Sequence, residues 1–366
     1  MRKNDKGIIV INLIIIVAMV VGAIMVYVYV FKELGKSDGN FSQKEENVVE
    51  NFHKQEIEKS NLEKNVTASK IPIIETEDAQ IPFSTNNKYF YNQLNENAKA
   101  IYDDVEKNYD NLKTGNYKIK LSDSVSRILN ENDGQEKLNK NFQAAWNALN
   151  MDRVDLFFID VSKVILKINT ITRGNDVSYN LYIEPNDEGS YFSDGLNSIQ
   201  DVEEAFARLN AIKKKVVGDA PQDTYNRILQ VHDWLIDNVE YNNNQTTDAD
   251  HNIYGTLTRG LAVCEGYAES FKLFMDELNI PCILVAGTAT NSVGITERHE
   301  WNYVKINNKW YAVDCTWDDP VIVGGGFVTS RQKHRYFLKG NRTMSEAHVL
   351  DNEFAYPNIE SEDYYL

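Results

Sequence analysis

The stretch His299-Glu300-Trp301-Asn302-Tyr303-Val304-Lys305-Ile306-Asn307-Asn308-Lys309-Trp310-Tyr311-Ala312-Val313-Asp314 decides the fold. Two runs rich in aromatic and β-branched residues flank Asn307-Asn308, a pair that tolerates positive φ. This predicts antiparallel strands over Glu300 to Ile306 and Lys309 to Asp314, joined by a two-residue turn. If Ile306 faces Lys309, Trp301 lies opposite Asp314 and His299 opposite Thr316. His299 and Asp314 then become diagonal neighbours on one face, about 7–8 Å apart or a little less between Cβ atoms, within reach of an imidazole-to-carboxylate hydrogen bond. A three-residue loop would shift the register by one and put them on opposite faces.

Upstream of the hairpin, Cys282 to Thr288 reads as another strand and Glu265 to Leu278 as a helix. Helices first and an antiparallel sheet afterwards make an α+β domain. Further back, Tyr89, Leu94, Ala98, Ile101, Tyr102, Val105 and Tyr109 are spaced for one helix face. A strand-like Tyr117 to Leu121 and a helix carrying Leu138, Phe142, Ala145, Trp146 and Leu149 follow. Val161 to Ile171 and Val177 to Ile183 read as a hairpin turning through Arg173-Gly174-Asn175. Ile199 to Val217 and Thr224 to Val239 read as amphipathic helices, the second begun by Asp219-Ala220-Pro221.

The chain has 366 residues, with 38 Lys+Arg against 54 Asp+Glu and a formal net charge of −16. That balance argues against a nucleic-acid partner, which calls for clustered basic residues. Three cysteines without a C-x-x-C pair exclude a disulfide framework, a zinc ribbon and a thioredoxin motif. Ile8 to Phe31 carries no charge over 24 residues. As a helix it would be about 36 Å long, enough to cross a bilayer. Arg2, Lys3 and Lys6 before it put the N-terminus in the cytoplasm and the rest outside. The run is too long and lacks the small-residue end of a cleaved signal peptide. Residues 32–84 are polar and read as a stalk. The expected organisation is 1–31 cytoplasmic N-terminus and membrane helix, 32–84 stalk, 85–218 an N-terminal α+β region, and 219–366 the domain that carries the chemistry.

Cys264 stands at the start of a predicted helix, where free N–H groups and the macrodipole favour negative charge. A thiol attacks a carbonyl only as thiolate, so it needs an imidazole beside it and an acceptor to orient that imidazole. His299 and Asp314 supply both types. Cys282 and Cys315 read as core, as does His232, which lies on the apolar side of its helix with Ile228 and Leu235. Tyr254, in the short segment after His251, can serve an oxyanion or simply pack. His299, His334 and His348 lack metal-ligand spacing, so no metal and no cofactor is expected.

From about Thr224 to Asn341 the chain resembles the transglutaminase-like superfamily, in the version found in secreted or membrane-anchored bacterial proteins. The residues that carry the resemblance are His232-Asp233-Trp234-Leu235, Tyr254-Gly255, Cys264-Glu265-Gly266-Tyr267-Ala268, His299-Glu300-Trp301-Asn302, Asp314-Cys315-Thr316-Trp317-Asp318-Asp319-Pro320 and Tyr336-Phe337-Leu338. The resemblance implies a papain-like core with Cys264 as nucleophile, His299 as general base and then acid, and Asp314 as the residue orienting His299. It implies acyl transfer at an amide or peptide bond of a protein, peptide or cell-wall substrate, with the thioester captured by water or by a second amine. Tyr254, Glu265, Trp301 and Trp317 are candidate substrate contacts. The calcium loops and flanking β-domains of animal transglutaminases are missing, as are the zinc motifs of peptide-N-glycanases, so crosslinking does not follow from the triad. The competing expectation is a non-catalytic binding or scaffold module of the same fold in the cell envelope.

Overall fold

The computed structural model describes residues 88–365, apart from 174, 188, 220, 243–247, 293 and 320–328, together with the backbone course of 9–20 and 23–30. The expected stalk, and Pro320 of the last long motif, lie outside the described residues.

The N-terminal half pairs helices with a first sheet. Asn95 caps α1 (Glu96–Lys107) by accepting the N–H groups of Asn97 and Ala98. Its stripe of Ala98, Ile101, Tyr102 and Val105 is buried against α2 (Gly134–Asp152). Between them runs β3 (Ile119–Lys120). The predicted hairpin forms as β4 (Val164–Arg173) and β5 (Asp176–Pro185), with Arg173 facing Asp176 across a two-residue turn.

The apolar run expected to cross a membrane as a helix is given instead as two strands, β1 (Ile9–Val20) and β2 (Ala23–Val30). Strand β1 pairs antiparallel with β4, and the first sheet runs β2-β1-β4-β5-β3. Among the described residues no helix is long and apolar enough to cross a membrane.

Two amphipathic helices follow, α3 (Ile199–Val217) and α4 (Thr224–Asn238). The cap of α4 is Asp223, which accepts the N–H of Asn226, rather than the Asp219-Ala220-Pro221 that sequence suggested. Then come α5 (Ile253–Arg259) and α6 (Cys264–Glu277). The second sheet is built from β6 (Cys282–Thr290), β7 (Thr296–Ile306) and β8 (Lys309–Val313), closed by β9 (His348–Leu350) in the antiparallel order β8-β7-β6-β9. Asn307 and Asn308 have φ of 49° and 64°, the left-handed pair of a type I′ turn. Ile306 faces Lys309 and Asn302 faces Val313, the predicted register. Helix α6 packs on this sheet. One continuous hydrophobic core runs from Phe90 to Met344 and takes in both halves.

Candidate active site

The position of Cys264 is set by close packing before it. Helix α5 stops at Gly260, whose φ of 69° suits only a residue free to take the left-handed region. The chain then pairs briefly with Glu240–Tyr241, and the Val263 N–H donates to the Asp250 carbonyl at 3.0 Å. Asp250 is fully buried and is held by Arg259 at 2.9 Å and by the Asn242 amide at 2.6 Å. Gly255 lets α5 lie against the turn at Ala249, and Gly266 lets α6 approach α5. A Cβ on Gly255 would lie 1.7 Å from the Ala249 carbonyl, and one on Gly266 would lie 2.2 Å from the Thr256 hydroxyl. Cys264 is the first residue of α6, and Val263 before it offers no side-chain cap. The first-turn N–H groups beside the thiol therefore have neither an intrahelical nor a capping partner.

Asp314 follows β8 and caps the one-turn helix α7 (Cys315–Asp318). One of its oxygens, Oδ1, accepts the Trp317 N–H at 3.1 Å. The other, Oδ2, accepts from two imidazoles, His299 Nε2 at 2.8 Å and His348 Nε2 at 2.9 Å. Asp314 is 1% exposed and His299 9%. With Nε2 of His299 committed to Asp314, Nδ1 is the nitrogen left to serve Cys264. Burial pulls the His299 pKa down, but Asp314 and then Cys264 outweigh it and push it up to about 10. Burial likewise opposes the Asp314 charge, yet the imidazoles of His299 and His348 hold its carboxyl well below the usual carboxylate range. The diagonal read from the sequence is thus a made hydrogen bond.

His348 is the partner that sequence reading missed. It arrives on β9 and sits among Trp301, Trp317 and Tyr336, with ring centroids 5.0, 4.6 and 5.4 Å away. Its only signal in the sequence is a lone histidine, 34 residues after Asp314.

The four candidate substrate contacts separate. Trp301 stacks on His299 at 5.9 Å and is 2% exposed, so it walls the imidazole and offers no surface to a substrate. This corrects its expected place in the cleft, and the physical reason is the inward face of β7 on which it alternates with Glu300. Trp317 is half-buried and leans over His299 at 5.6 Å. Tyr254 stacks on Phe157 at 5.7 Å, which makes packing its observed role. Glu265, next to the nucleophile, holds His251 Nδ1 at 2.9 Å. Glu300 joins this acidic side: burial, and then the charges of Glu265, Glu269 and Cys264, push its carboxyl well above the usual range.

The remaining motif residues tie the pieces together. The Tyr267 hydroxyl donates to Asp319 at 2.5 Å. Asp318 accepts the Tyr336 N–H and meets His232 Nε2 at 3.1 Å, and His232 is fully buried, as expected of a satisfied core histidine. Cys282 and Cys315 are buried, which pushes both thiols far above their ordinary range and leaves them inert.

The transglutaminase-like superfamily model matches residues 210–315. A curated relative, kyphoscoliosis peptidase of Mus musculus, is 25% identical over 157 residues, which is 40% of this chain and 23% of that protein. Among solved structures, a transglutaminase (TGase) crystal structure aligns at 13% identity over 44% of this chain and 46% of its own, with a TM-score of 0.29. A protein of Cytophaga hutchinsonii assigned as a cysteine protease aligns at 18% identity over 42% of this chain and 58% of its own, with a TM-score of 0.25. The chain spans less than a quarter of the length of the mouse peptidase. The matched segment ends one residue after Asp314 and contains Cys264, His299 and Asp314. The chain carries a transglutaminase-like superfamily domain at residues 210–315.

Proposed function

We propose that this protein is a cysteine acyl-transfer enzyme acting at an amide or peptide bond. The observation that carries the reading is one imidazole, His299, held by Asp314 at 2.8 Å on Nε2, with its pKa raised by Asp314 and also by Cys264. In the first half-reaction the proton already rests on Nδ1 of the protonated ring, and the Cys264 sulfur attacks the carbonyl carbon as thiolate beside it. The oxygen takes up the electron pair in front of the uncapped first-turn N–H groups of α6, which are aimed for developing negative charge. His299 returns its proton to the departing amine, leaving a thioester on Cys264. Water or a second amine then loses a proton to His299 and releases the acyl group. Asp314 keeps the Nε2 proton in place throughout, so that Nδ1 is the nitrogen that exchanges protons.

Glu265, the residue after Cys264, puts an acidic side chain next to the sulfur, which favours a substrate or acyl acceptor bearing an amine. The charge-free run from Ile8 to Phe31 and its basic flank support anchoring to a membrane with residues 32–366 outside, in a form where this run crosses the bilayer as a helix and does not pair with β4.

A thiol-selective electrophile tests the chemistry. It labels the wild type at Cys264, labels Cys264→Ala not at all, and labels His299→Ala at least tenfold more slowly. Equal rates for wild type and His299→Ala would leave a folded module without an activated thiol. Alkaline carbonate extraction tests the anchor: the full chain stays with the membrane pellet and a chain beginning at residue 32 is released. Release of both would end the membrane reading.

A further inference from the structure

The imidazole of His299 is enclosed by aromatic rings as well as by charge. Trp301, two residues on along β7, lies close to parallel with it, with 5.9 Å between centroids and 21° between planes. Trp317, on α7, lies 5.6 Å away at 39°. Both distances fall within the roughly 6 Å over which the electron-rich face of an indole attracts a cation. The titratable groups that face the same ring are Asp314 at the cap of α7, His348 on β9 with its centroid 5.5 Å away, and Cys264 on α6. The Tyr336 phenol stands one ring further out, 5.1 Å from Trp317 and 5.4 Å from His348.

The two indoles are fixed in different ways. Trp301 is 2% exposed, and truncating it would leave a cavity in the core. Trp317 is half-buried, and its place comes from its own main chain: its N–H donates to Asp314 Oδ1, while Oδ2 of the same carboxylate holds His299. One carboxylate therefore fixes both the imidazole and the residue whose ring leans over it. A change of side chain at Trp317 leaves that N–H donor in place.

We propose that Trp317 is a positioning residue that keeps His299 protonated, its indole face stabilising the imidazolium beside the sulfur. This role rests on the acyl-transfer chemistry proposed for Cys264. When the sulfur bonds to the carbonyl carbon, its negative charge passes to the carbonyl oxygen, and the imidazolium loses the thiolate as its partner. The proton has not yet reached the departing amine. For that interval the charged ring is held by Asp314, whose Oδ2 also serves His348, and by the indole faces. An aliphatic residue in place of Trp317 removes one of those faces, so the proton leaves the ring at lower pH. Phenylalanine keeps an aromatic face at the same place.

The test follows the His299 ring itself. In the full chain labelled with carbon-13 at histidine Cε1, the ring is titrated by NMR, its signal assigned as the one missing from His299→Gln. In Trp317→Leu the midpoint falls by about half a unit to one unit, the shift that a partly exposed cation–π contact supplies. Trp317→Phe restores at least half of that fall. Trp317→Met, of comparable length and without an aromatic face, gives the same fall and serves if the leucine variant does not fold. An unchanged midpoint in the aliphatic variants would overturn the proposal. So would an equal fall in Trp317→Phe, which would make the residue a packing element only. Labelling by iodoacetamide, run alongside, separates the two claims: equal rates for wild type and His299→Gln remove the acyl-transfer reading, whereas a His299-dependent rate with an unchanged midpoint removes only the part given to Trp317.

Discussion

Asp314 does three things with two oxygens, and the balance among them sets how His299 titrates. The folded-state pKa of His299, about 10, lies above its ordinary 6.5, so folding favours the protonated ring. That contribution to stability is complete below about pH 6.5 and is lost as pH rises toward 10. Asp314 is shifted the other way from its ordinary 3.8; its contribution is complete above about pH 4 and is lost only as pH falls well below that. Thermal unfolding of wild type and His299→Gln should therefore differ most between about pH 4 and 6.5 and converge toward pH 10. A difference that grows with pH would mean that the ring folds uncharged. His348 acts as a positioning residue, since it shares the oxygen that His299 uses. In His348→Gln the carboxylate serves His299 with less competition, so the alkaline limb of the labelling rate moves to higher pH. An unchanged limb with a merely lower rate would make His348 only a packing residue. At this scale the sequence was informative where spacing acts within one hairpin: the turn at Asn307-Asn308 fixed which residues face each other, and His299 reached Asp314 as a consequence. His348 was illegible because its place depends on which strand β9 pairs with, and nothing local encodes that.

At the scale of elements, period and caps carried most of the reading. Helix α3 has the predicted limits and α4 differs by one residue at its end, because their apolar stripes recur at helical spacing and end at definite polar residues. The run from Ile8 to Phe31 has no such contrast. Where nearly every residue is apolar, periodicity cannot separate helix from strand, and the β-branched content of β1 then matters. What composition could not supply was the closeness of α5 and α6. Gly266→Ala tests it, because the added methyl would meet the Thr256 hydroxyl at 2.2 Å and the Asp250 carbonyl at 2.7 Å. The expected loss is roughly 1–3 kcal/mol in denaturant unfolding, together with slower labelling of Cys264 as the start of α6 is displaced. A loss of under about 0.5 kcal/mol, the range of an ordinary surface change, would show that the helices are not in tight contact there.

At the scale of the molecule, the region before residue 219 is part of the same core as the residues that carry the chemistry. Phe157 lies under Tyr254, and the Asp152 carboxyl, raised to about 6 by burial, accepts the N–H groups of Phe90 and Tyr91. Phe90 in turn packs edge-on against Phe354 at 4.9 Å and Tyr356 at 6.1 Å. A chain beginning at residue 219 should accordingly show no cooperative unfolding transition by circular dichroism, whereas one beginning at residue 84 should unfold in a single step. A cooperative transition in the shorter chain would mean that the transglutaminase-like segment is self-sufficient. The Tyr89 hydroxyl donates to the Ala355 carbonyl across 266 residues of sequence. At a synthesis rate of about 5–20 residues per second, the segment around Tyr89 and Phe90 is made some tens of seconds before its partners exist. Until translation nears its end those aromatic side chains lack their C-terminal partners, so a nascent chain stalled before Phe354 leaves that face open to chaperones and proteases, and Cys264, His299, Asp314 and His348 come together only after most of the chain has been made.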